Sequence, residues 1–151
     1  MQNIESLFMR YKDDVYRLAL SYTKSVQEAE DVCQTVFVKL MEQKHIQPEK
    51  ERAWLMQVTV NRCKNLLRSS WWKKTAALED ALPSEASGYP EIRGLVMDLP
   101  PKYRVVVYLH YYEELSTAEM SRLLHISQSA VTTRLSRARK LLKEQLQEVA
   151  L

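Results

Sequence analysis

Glycine, proline and cysteine are scarce in this chain: its 151 residues include only 2 glycines, 5 prolines and 2 cysteines. So few turn-forming residues favour helices and leave little material for tight turns. No apolar run approaches the roughly 20 residues that cross a bilayer. Residues 1–14 carry charges and lack the apolar core of a signal peptide. The sequence therefore predicts a cytoplasmic protein that does not insert into a membrane.

Catalytic and metal-binding patterns are also missing. Cys33 and Cys63 both fall within helical patterns and lack the Cys-x-x-Cys or Cys/His spacing of a metal site. The histidines His45, His110 and His125 are scattered along the chain, and no phosphate loop or nucleophile–base set is present. We therefore expect buried free thiols, no metal, no cofactor and no enzymatic activity.

Charge is distributed unevenly along the chain. Residues 1–74 hold 13 Lys or Arg against 9 Asp or Glu, residues 75–98 hold 1 against 5, and residues 99–151 hold 8 against 5. Two basic blocks thus flank an acidic strip. This distribution is typical of two modules that face nucleic acid and are joined by a linker.

Apolar residues recur at helical spacing over most of the chain. The predicted helices cover residues 1–23, 26–42, 51–72, 91–99, 102–112, a helix capped by Ser116, and a last helix that ends near residue 149. Ser116 followed by Glu119 predicts a capping box. Residues 75–90 are acidic and contain Pro, Ser and Gly, which favours a flexible linker. We therefore predict an all-α protein of two small helical domains, residues 1–74 and 91–151.

The same periodicity predicts which side chains form the core. The expected inward-facing residues are Ile4, Leu7, Phe8, Tyr11, Val15, Leu18, Ala19 and Tyr22 on the first helix; Ala29, Val32, Cys33, Val36, Phe37, Leu40 and Met41 on the second; Leu55, Val58, Thr59, Cys63 and Leu66 on the third; and Val105, Val106, Leu109 and Tyr112 farther along.

Residues 116–140 have the spacing of a helix-turn-helix. Ser121 is small enough for two helices to pack closely, His125 falls where the chain must turn, and Val131 is the apolar residue that fixes the second helix against the first. Met120, Leu124 and Ile126 supply the rest of a small core.

The second helix of this motif has an apolar stripe and an opposite basic face. The stripe consists of Val131, Leu135, Ala138 and Leu142. The opposite face consists of Ser129, Thr133, Ser136, Arg137 and Lys140, flanked by Arg134. Hydroxyls and guanidinium groups can read base edges, and cations meet phosphates. A solvated basic face is the alternative, but the spacing in front of it favours DNA binding.

Two faces in the N-terminal half are candidates for other contacts. The outer face of the second helix carries Asp31, Gln34, Thr35, Val38 and Glu42, which fits either solvent or a docked protein, and the residues alone favour solvent. The third helix aligns Trp54, Gln57, Asn61, Lys64 and Arg68. This line suits an unstacked nucleic-acid strand. Trp54 alone favours the core, whereas Asn61 favours function because a mid-helix Asn has a propensity cost.

Together these motifs resemble the sigma-70 family of bacterial transcription initiation factors, specifically its small extracytoplasmic-function group. Residues 29–40 (AEDVCQTVFVKL) are similar to the polymerase-docking helix, with Asp31, Gln34 and Phe37 matching its D-x-x-Q-x-x-F pattern. Residues 54–68 resemble the helix that opens and reads the −10 element. Residues 99–142 resemble the region that reads the −35 element as duplex.

The resemblance implies partners and contact residues. It implies binding to core RNA polymerase, through the clamp helices of its largest subunit, and to promoter DNA, as well as control by an anti-sigma factor. The implied polymerase contacts are Asp31, Gln34, Thr35, Phe37 and Val38. The implied −10 contacts are Trp54, Gln57, Asn61, Arg62, Lys64, Asn65 and Arg68, with Asn61 and the loop of residues 44–52 forming a pocket for a flipped base. The implied −35 contacts are Gln128, Ser129, Thr132, Thr133, Arg134, Ser136, Arg137 and Lys140.

This chain departs from the family pattern at four positions. His125 replaces the usual turn glycine, Ser129 replaces another glycine, and Ala130 and Thr132 replace a hydroxyl and a cation that usually contact DNA. A left-handed backbone at a residue other than glycine costs about 1 kcal/mol, and His is among the better-tolerated types. The promoter sequence therefore does not carry over from better-known members.

Three alternative functions differ in what they require. A stand-alone helix-turn-helix repressor or activator explains the C-terminal half but gives the third helix no role. A DNA invertase would need a catalytic Ser or an acidic cluster within residues 1–74. A module that binds only proteins would tolerate alanine at Arg134 and Arg137, whereas a sigma factor would lose promoter binding.

Overall fold

The computed structural model describes residues 3–43, 46–68 and 92–150. The chain divides after residue 72 into two compact units. The predicted linker, residues 75–90, lies outside the described residues, as do Trp71 and Trp72. Within the described ranges every regular element is helical, which confirms the predicted all-α class.

The N-terminal unit is a three-helix assembly of α1 (Ile4–Thr23), α2 (Val26–Met41) and α3 (Glu51–Arg68), with a 3₁₀ turn (Pro48–Lys50) before α3. Local chemistry sets its helix ends. The Asn3 side chain accepts a hydrogen bond from the Glu5 N–H at 3.0 Å, and Ser25 Oγ accepts one from the Glu28 N–H at 3.2 Å. Lys24 ends α1 in the left-handed conformation, so two residues suffice to reverse the chain into α2.

The core of this unit follows the predicted stripes in its centre and departs from them at one end. The buried side chains include Leu18, Ala19, Val32, Val36, Leu55 and Val60. Two predictions are wrong: Met41 is 58% exposed and Phe8 is 41% exposed. Both lie at the edge of their stripe, at the end of the unit where α1 begins and α2 finishes.

The C-terminal unit contains α4 (Ile92–Met97), α5 (Pro101–Val107), α6 (Thr117–Leu124) and α7 (Gln128–Ala150), with a single π-helical turn (Tyr108–Tyr112) after α5. As predicted, Pro101 is in the first turn of its helix. Val96, Leu99, Val107 and Ala138 form one buried cluster. The buried Arg104 joins α5 to the segment before it, because its Nη1 donates to the Met97 and Leu99 carbonyls at 3.2 and 3.0 Å.

The π-helical turn explains a third error in the predicted core. The Glu113 N–H donates to the Tyr108 carbonyl, five residues back, at 3.3 Å. This wider turn changes the angle between successive side chains. Leu109 remains buried, but Tyr112 is 54% exposed instead of facing the core.

The helix-turn-helix has the predicted geometry. Ser116 and Glu119 form both bonds of a capping box. His125 adopts φ 57° and ψ 43°, the left-handed conformation expected at the turn. Ser121 contributes more than small size, because its Oγ donates to the Ile126 carbonyl at 2.5 Å and so fixes the turn. Val131 and Met120 are fully buried between the two helices.

Replacing His125 with glycine is expected to stabilise the C-terminal unit by about 0.5 kcal/mol, because relief of the left-handed backbone exceeds the added entropy of the unfolded chain. The stabilisation would be measured as slower amide hydrogen exchange in α6 and α7 of the full chain. The His125→Ala variant is the control, since alanine keeps a Cβ. An equal gain with alanine would contradict the backbone explanation.

Two negative findings apply to the described ranges. None of their helices is both long enough and apolar enough to cross a membrane. No group of three or more His, Cys, Asp or Glu side chains in these ranges is arranged to hold a metal ion.

Candidate nucleic-acid interface

A concave surface of about 400 Å³ lies along the N-terminal half of α7. It is lined by Lys102, Tyr103, Ser127, Ser129, Ala130, Thr133, Arg134 and Arg137. Four of the residues predicted for duplex contact, Ser129, Thr133, Arg134 and Arg137, thus share one cleft. The hydroxyls and guanidinium groups among these residues are donors that address base edges and phosphates.

The other four predicted duplex contacts are not among the residues that line this cleft. Gln128, Thr132, Ser136 and Lys140 are exposed on α7. At 100° per residue, Thr132 and Ser136 lie 140° and 100° around the helix from Arg137. Thr132 Oγ1 donates to the Gln128 carbonyl at 3.0 Å, so this hydroxyl is engaged by its own helix. The cleft therefore contains only four of the eight residues that the sequence predicted for duplex contact.

Lys102 and Tyr103 are additions that sequence reasoning missed. They belong to the first turn of α5, and Lys102 Nζ lies 5.0 Å from the centre of the Tyr103 ring. From the sequence, these two residues could be placed only at the start of a helix. They lie beside α7 because α5 packs on α7. The sequence signal that could have pointed to these two residues is a cation next to an aromatic residue directly after Pro-Pro.

The face of α3 presents the predicted amides side by side. Gln57 Nε2 donates to Asn61 Oδ1 at 3.0 Å. This bond orients the Asn61 amide, so that its nitrogen, a donor, faces away from Gln57. Asn61, Asn65 and Arg68 are exposed, whereas Trp54, Arg62 and Lys64 are half-buried.

An ion pair links the start of α3 to α1. Asp14 Oδ1 accepts a hydrogen bond from Arg17 at 2.7 Å, and Asp14 Oδ2 lies 3.8 Å from Arg52 Nε. Exposed pairs of this kind contribute about 0.2–1 kcal/mol. Lys44 and His45, in the loop predicted to complete the base pocket, lie outside the described residues.

The face of α2 presents most of the predicted docking residues. Asp31, Gln34 and Val38 are exposed, and Thr35 is half-buried. Phe37 is only 6% exposed, and its ring meets Phe8 edge-on at a centroid distance of 5.0 Å. Phe37 as a polymerase contact stays a prediction: in this unit its ring packs inward and supports the face from below.

Burial determines the chemistry of the two thiols. Burial raises the pKa of Cys63 to about 12 despite the opposing charge of Arg62. For the half-buried Cys33, burial and then the Asp13 carboxylate raise the pKa. Cys63 is thus the buried thiol that was predicted, whereas Cys33 is partly accessible and donates weakly to the Lys12 carbonyl at a distance of 3.7 Å.

At pH 8 we expect a thiol-alkylating reagent to modify Cys33 before Cys63, which should react only after unfolding. The unfolded Cys63 thiol ionises near pH 8.5. Its contribution to stability is therefore complete below about pH 8.5 and falls as the pH rises towards about 12. Mass spectrometry of labelled peptides measures the order. Equal labelling rates in the folded protein would contradict this environment for Cys63.

Both units of the chain match sequence models of known protein regions. The sequence model described as Sigma-70 region 2 matches residues 7–73, and the one described as Sigma-70, region 4 matches residues 90–142. The chain is 31% identical over 153 residues to the ECF RNA polymerase sigma factor SigM of Bacillus subtilis, covering 93% of each protein. It is 30% identical over 165 residues to SigW of the same organism, covering 92% of this chain and 86% of SigW.

A solved structure has the same fold. The sigma factor RpoE of Bartonella quintana, crystallised with the anti-sigma factor NepR, matches with a TM-score of 0.67, covering 95% of this chain and 96% of RpoE at 17% identity. The two region matches, in this order, and the near full-length similarity to SigM together establish the family. The chain belongs to the extracytoplasmic-function group of the sigma-70 family of RNA polymerase sigma factors.

Proposed function

We propose that this protein binds core RNA polymerase, directs it to promoters and helps to open the −10 region, with each step assigned to one of the faces described above. The observation that carries the proposal is the pairing of two different nucleic-acid surfaces in one chain. The α7 cleft suits a duplex, and the amide-and-cation face of α3 suits a separated strand.

Duplex recognition of the −35 element is assigned to Ser129, Thr133, Arg134 and Arg137, together with Lys102 and Tyr103. The lysine and the two arginines supply phosphate contacts, which provide affinity, and the two hydroxyls face the cleft where base edges would lie. Gln128, Thr132, Ser136 and Lys140 are assigned to its periphery.

Capture of the opened −10 strand is assigned to α3. The oriented Asn61 amide offers a donor to the Watson–Crick edge of an unstacked base, and Asn65 and Arg68 follow it along the exposed side of the helix. Gln57 fixes the Asn61 amide, and Trp54, Arg62 and Lys64 border this line as half-buried side chains. A single-strand surface of this type has no role in a protein that binds only duplex DNA.

Polymerase docking is assigned to α2, where Asp31, Gln34, Thr35 and Val38 form the contact surface and Phe37 supports it. Like the RpoE of the matched complex, the protein is proposed to have an anti-sigma partner that controls it. Because core polymerase and promoters are cytoplasmic in bacteria, the proposed place of action is the cytoplasm. No step in this proposal makes or breaks a covalent bond in the sigma subunit itself.

Runoff transcription tests the proposal. Purified protein is added to bacterial core polymerase with genomic fragments as template, and the transcript starts are sequenced. We expect discrete new starts that share paired upstream elements and that disappear with Asp31→Ala or Asn61→Ala. If no core-dependent starts form and the protein instead binds duplex DNA tightly alone, the repressor function is the better account.

A further inference from the structure

Ala130 lines the α7 cleft, although the sequence did not predict it as a duplex contact. It is half-buried and belongs to the first turn of α7. Among the described residues that line the cleft, it is the one whose side chain has no polar atom. The cleft therefore holds one purely apolar group among its hydroxyls and cations.

Ala130 is aligned with side chains already assigned to duplex recognition. Thr133, Arg134 and Arg137 follow it at i+3, i+4 and i+7, so the four residues share one face of α7, and all four line the cleft. The N-terminal residues of a recognition helix are the ones that contact base edges in the major groove. Ala130, the third residue of α7, thus occupies a position from which a side chain meets a base.

The backbone of Ala130 is already engaged, so the residue offers its methyl group to a ligand. Ser127 Oγ accepts a hydrogen bond from the Ala130 N–H at 3.0 Å, which uses the donor that a phosphate could otherwise have taken. The Ala130 carbonyl points along the helix axis towards the next turn, as in any α-helix. The chemistry available at this residue is therefore an apolar contact.

Thymine is the base that matches an apolar contact in the major groove. Its edge carries the C5-methyl group, whereas guanine, adenine and cytosine are distinguished there by hydrogen-bond donors and acceptors. A polar base edge that faced Ala130 would lose contact with water and gain no hydrogen bond in return. A thymine methyl group has no such cost and gains from its removal from water.

We propose that Ala130 makes the α7 cleft selective for a thymine in the −35 element, through contact between the alanine methyl group and the C5-methyl group of the base. The ligand class of this subsite is a 5-methylpyrimidine in duplex DNA. The inference rests on the proposed function and adds to it the identity of one base.

Exchange of single thymines for deoxyuridine tests this contact, because uracil keeps the hydrogen-bonding groups of thymine and lacks only the methyl group. The promoter fragments are those found by runoff transcription, and each thymine of the shared −35 element is exchanged in turn. Competition binding measures the affinity of the holoenzyme, formed from this protein and core polymerase, for each fragment. We expect one position at which the exchange weakens binding by roughly fourfold, as for the loss of one buried methyl group.

Two substitutions at Ala130 connect this loss to the protein. Ala130→Gly removes the methyl group and Ala130→Ser replaces it with a hydroxymethyl group; glycine weakens a helix more than serine does, so the pair separates contact from helix stability. With either variant, the thymine and uracil fragments should bind equally well. The ratio of the two affinities is the readout, because a general loss of binding affects both fragments and cancels.

A matched alanine on the neighbouring helix provides the control. Ala118 is also half-buried and lies in the first turn of α6, but it is not among the residues that line the cleft. Ala118→Ser should therefore keep the fourfold preference for thymine over uracil.

Three results would overturn the inference and leave the proposed function intact. The first is a −35 element without a shared thymine, and the second is equal affinity for thymine and uracil at every −35 position with the unsubstituted protein. The third is a preference for thymine that persists in both Ala130 variants, because another residue would then read the methyl group. Absence of core-dependent transcript starts would instead overturn the proposed function.

Discussion

Replacing both Arg134 and Arg137 with alanine is expected to lower the affinity of the holoenzyme for its promoter fragments by about a hundredfold. Both guanidinium groups line the α7 cleft, beside Ser129 and Thr133. Each group that meets a phosphate also releases condensed counterions. The dependence of log K on log salt concentration should therefore become shallower by roughly 0.9 for each phosphate that is no longer neutralised.

The control for this result is present on the same helix. Arg139 is exposed, two residues beyond Arg137, and 200° around the helix from it. Its Nε donates to the Tyr111 hydroxyl at 2.7 Å, and it lies over the Tyr111 ring at 5.6 Å, away from the cleft. Arg139→Ala removes one of the same guanidinium charges but should leave promoter affinity and salt slope nearly unchanged. Comparable losses for Arg139→Ala would mean that the whole charge of α7, not the cleft, provides the affinity.

The second large effect is expected from Asn61→Asp, which should reduce open-complex formation by at least about tenfold while leaving affinity for core polymerase unchanged. Aspartate has nearly the same shape and keeps the oxygen that accepts from Gln57. It loses the amide donor and adds a negative charge where a strand of phosphates would pass. Permanganate reactivity of unpaired thymines at promoters from the runoff experiment measures the opening.

A graded series separates base contact from helix structure. Gln57→Ala removes the donor that orients the Asn61 amide but leaves that amide in place, so its effect should be smaller than that of Asn61→Asp. Circular dichroism should be unchanged for both variants, because neither Gln57 nor Asn61 is a buried side chain of α3. Normal opening with Asn61→Asp would contradict the assignment of the −10 strand to this face.

Local signals made much of the fold predictable. Helical periodicity identified every α-helix in the described ranges, and most of their ends agree with the prediction within about two residues. The exceptions are α1, which begins at Ile4 and not at residue 1, and α5, which gives way to the π-helical turn after Val107, five residues before the predicted end. The capping box at Ser116 and the left-handed turn at His125 are determined by neighbouring residues, so sequence alone was sufficient there. The arginines that line the α7 cleft could be located from the sequence because they share a helix with the apolar stripe that fixes their direction.

The features that were missed depend on contacts between helices. Periodicity shows which side of a helix is apolar, but not how far along that side a neighbouring helix covers it. Phe8 and Met41 were therefore predicted to lie in the core, although both are exposed. Lys102 and Tyr103 reach the α7 cleft only because α5 packs on α7.

The π-helical turn at Tyr108–Tyr112 has a consequence for comparing this protein with its relatives. One such turn holds an extra residue relative to α-helical winding. An alignment without a one-residue gap here would pair non-equivalent positions on one side of Tyr108 wherever a relative has an uninterrupted α-helix. A chimaera joined inside this helix would inherit the same offset and turn Leu109 or the residues after it away from the core. Exchange points for hybrid proteins should therefore lie before Pro101 or after Glu113.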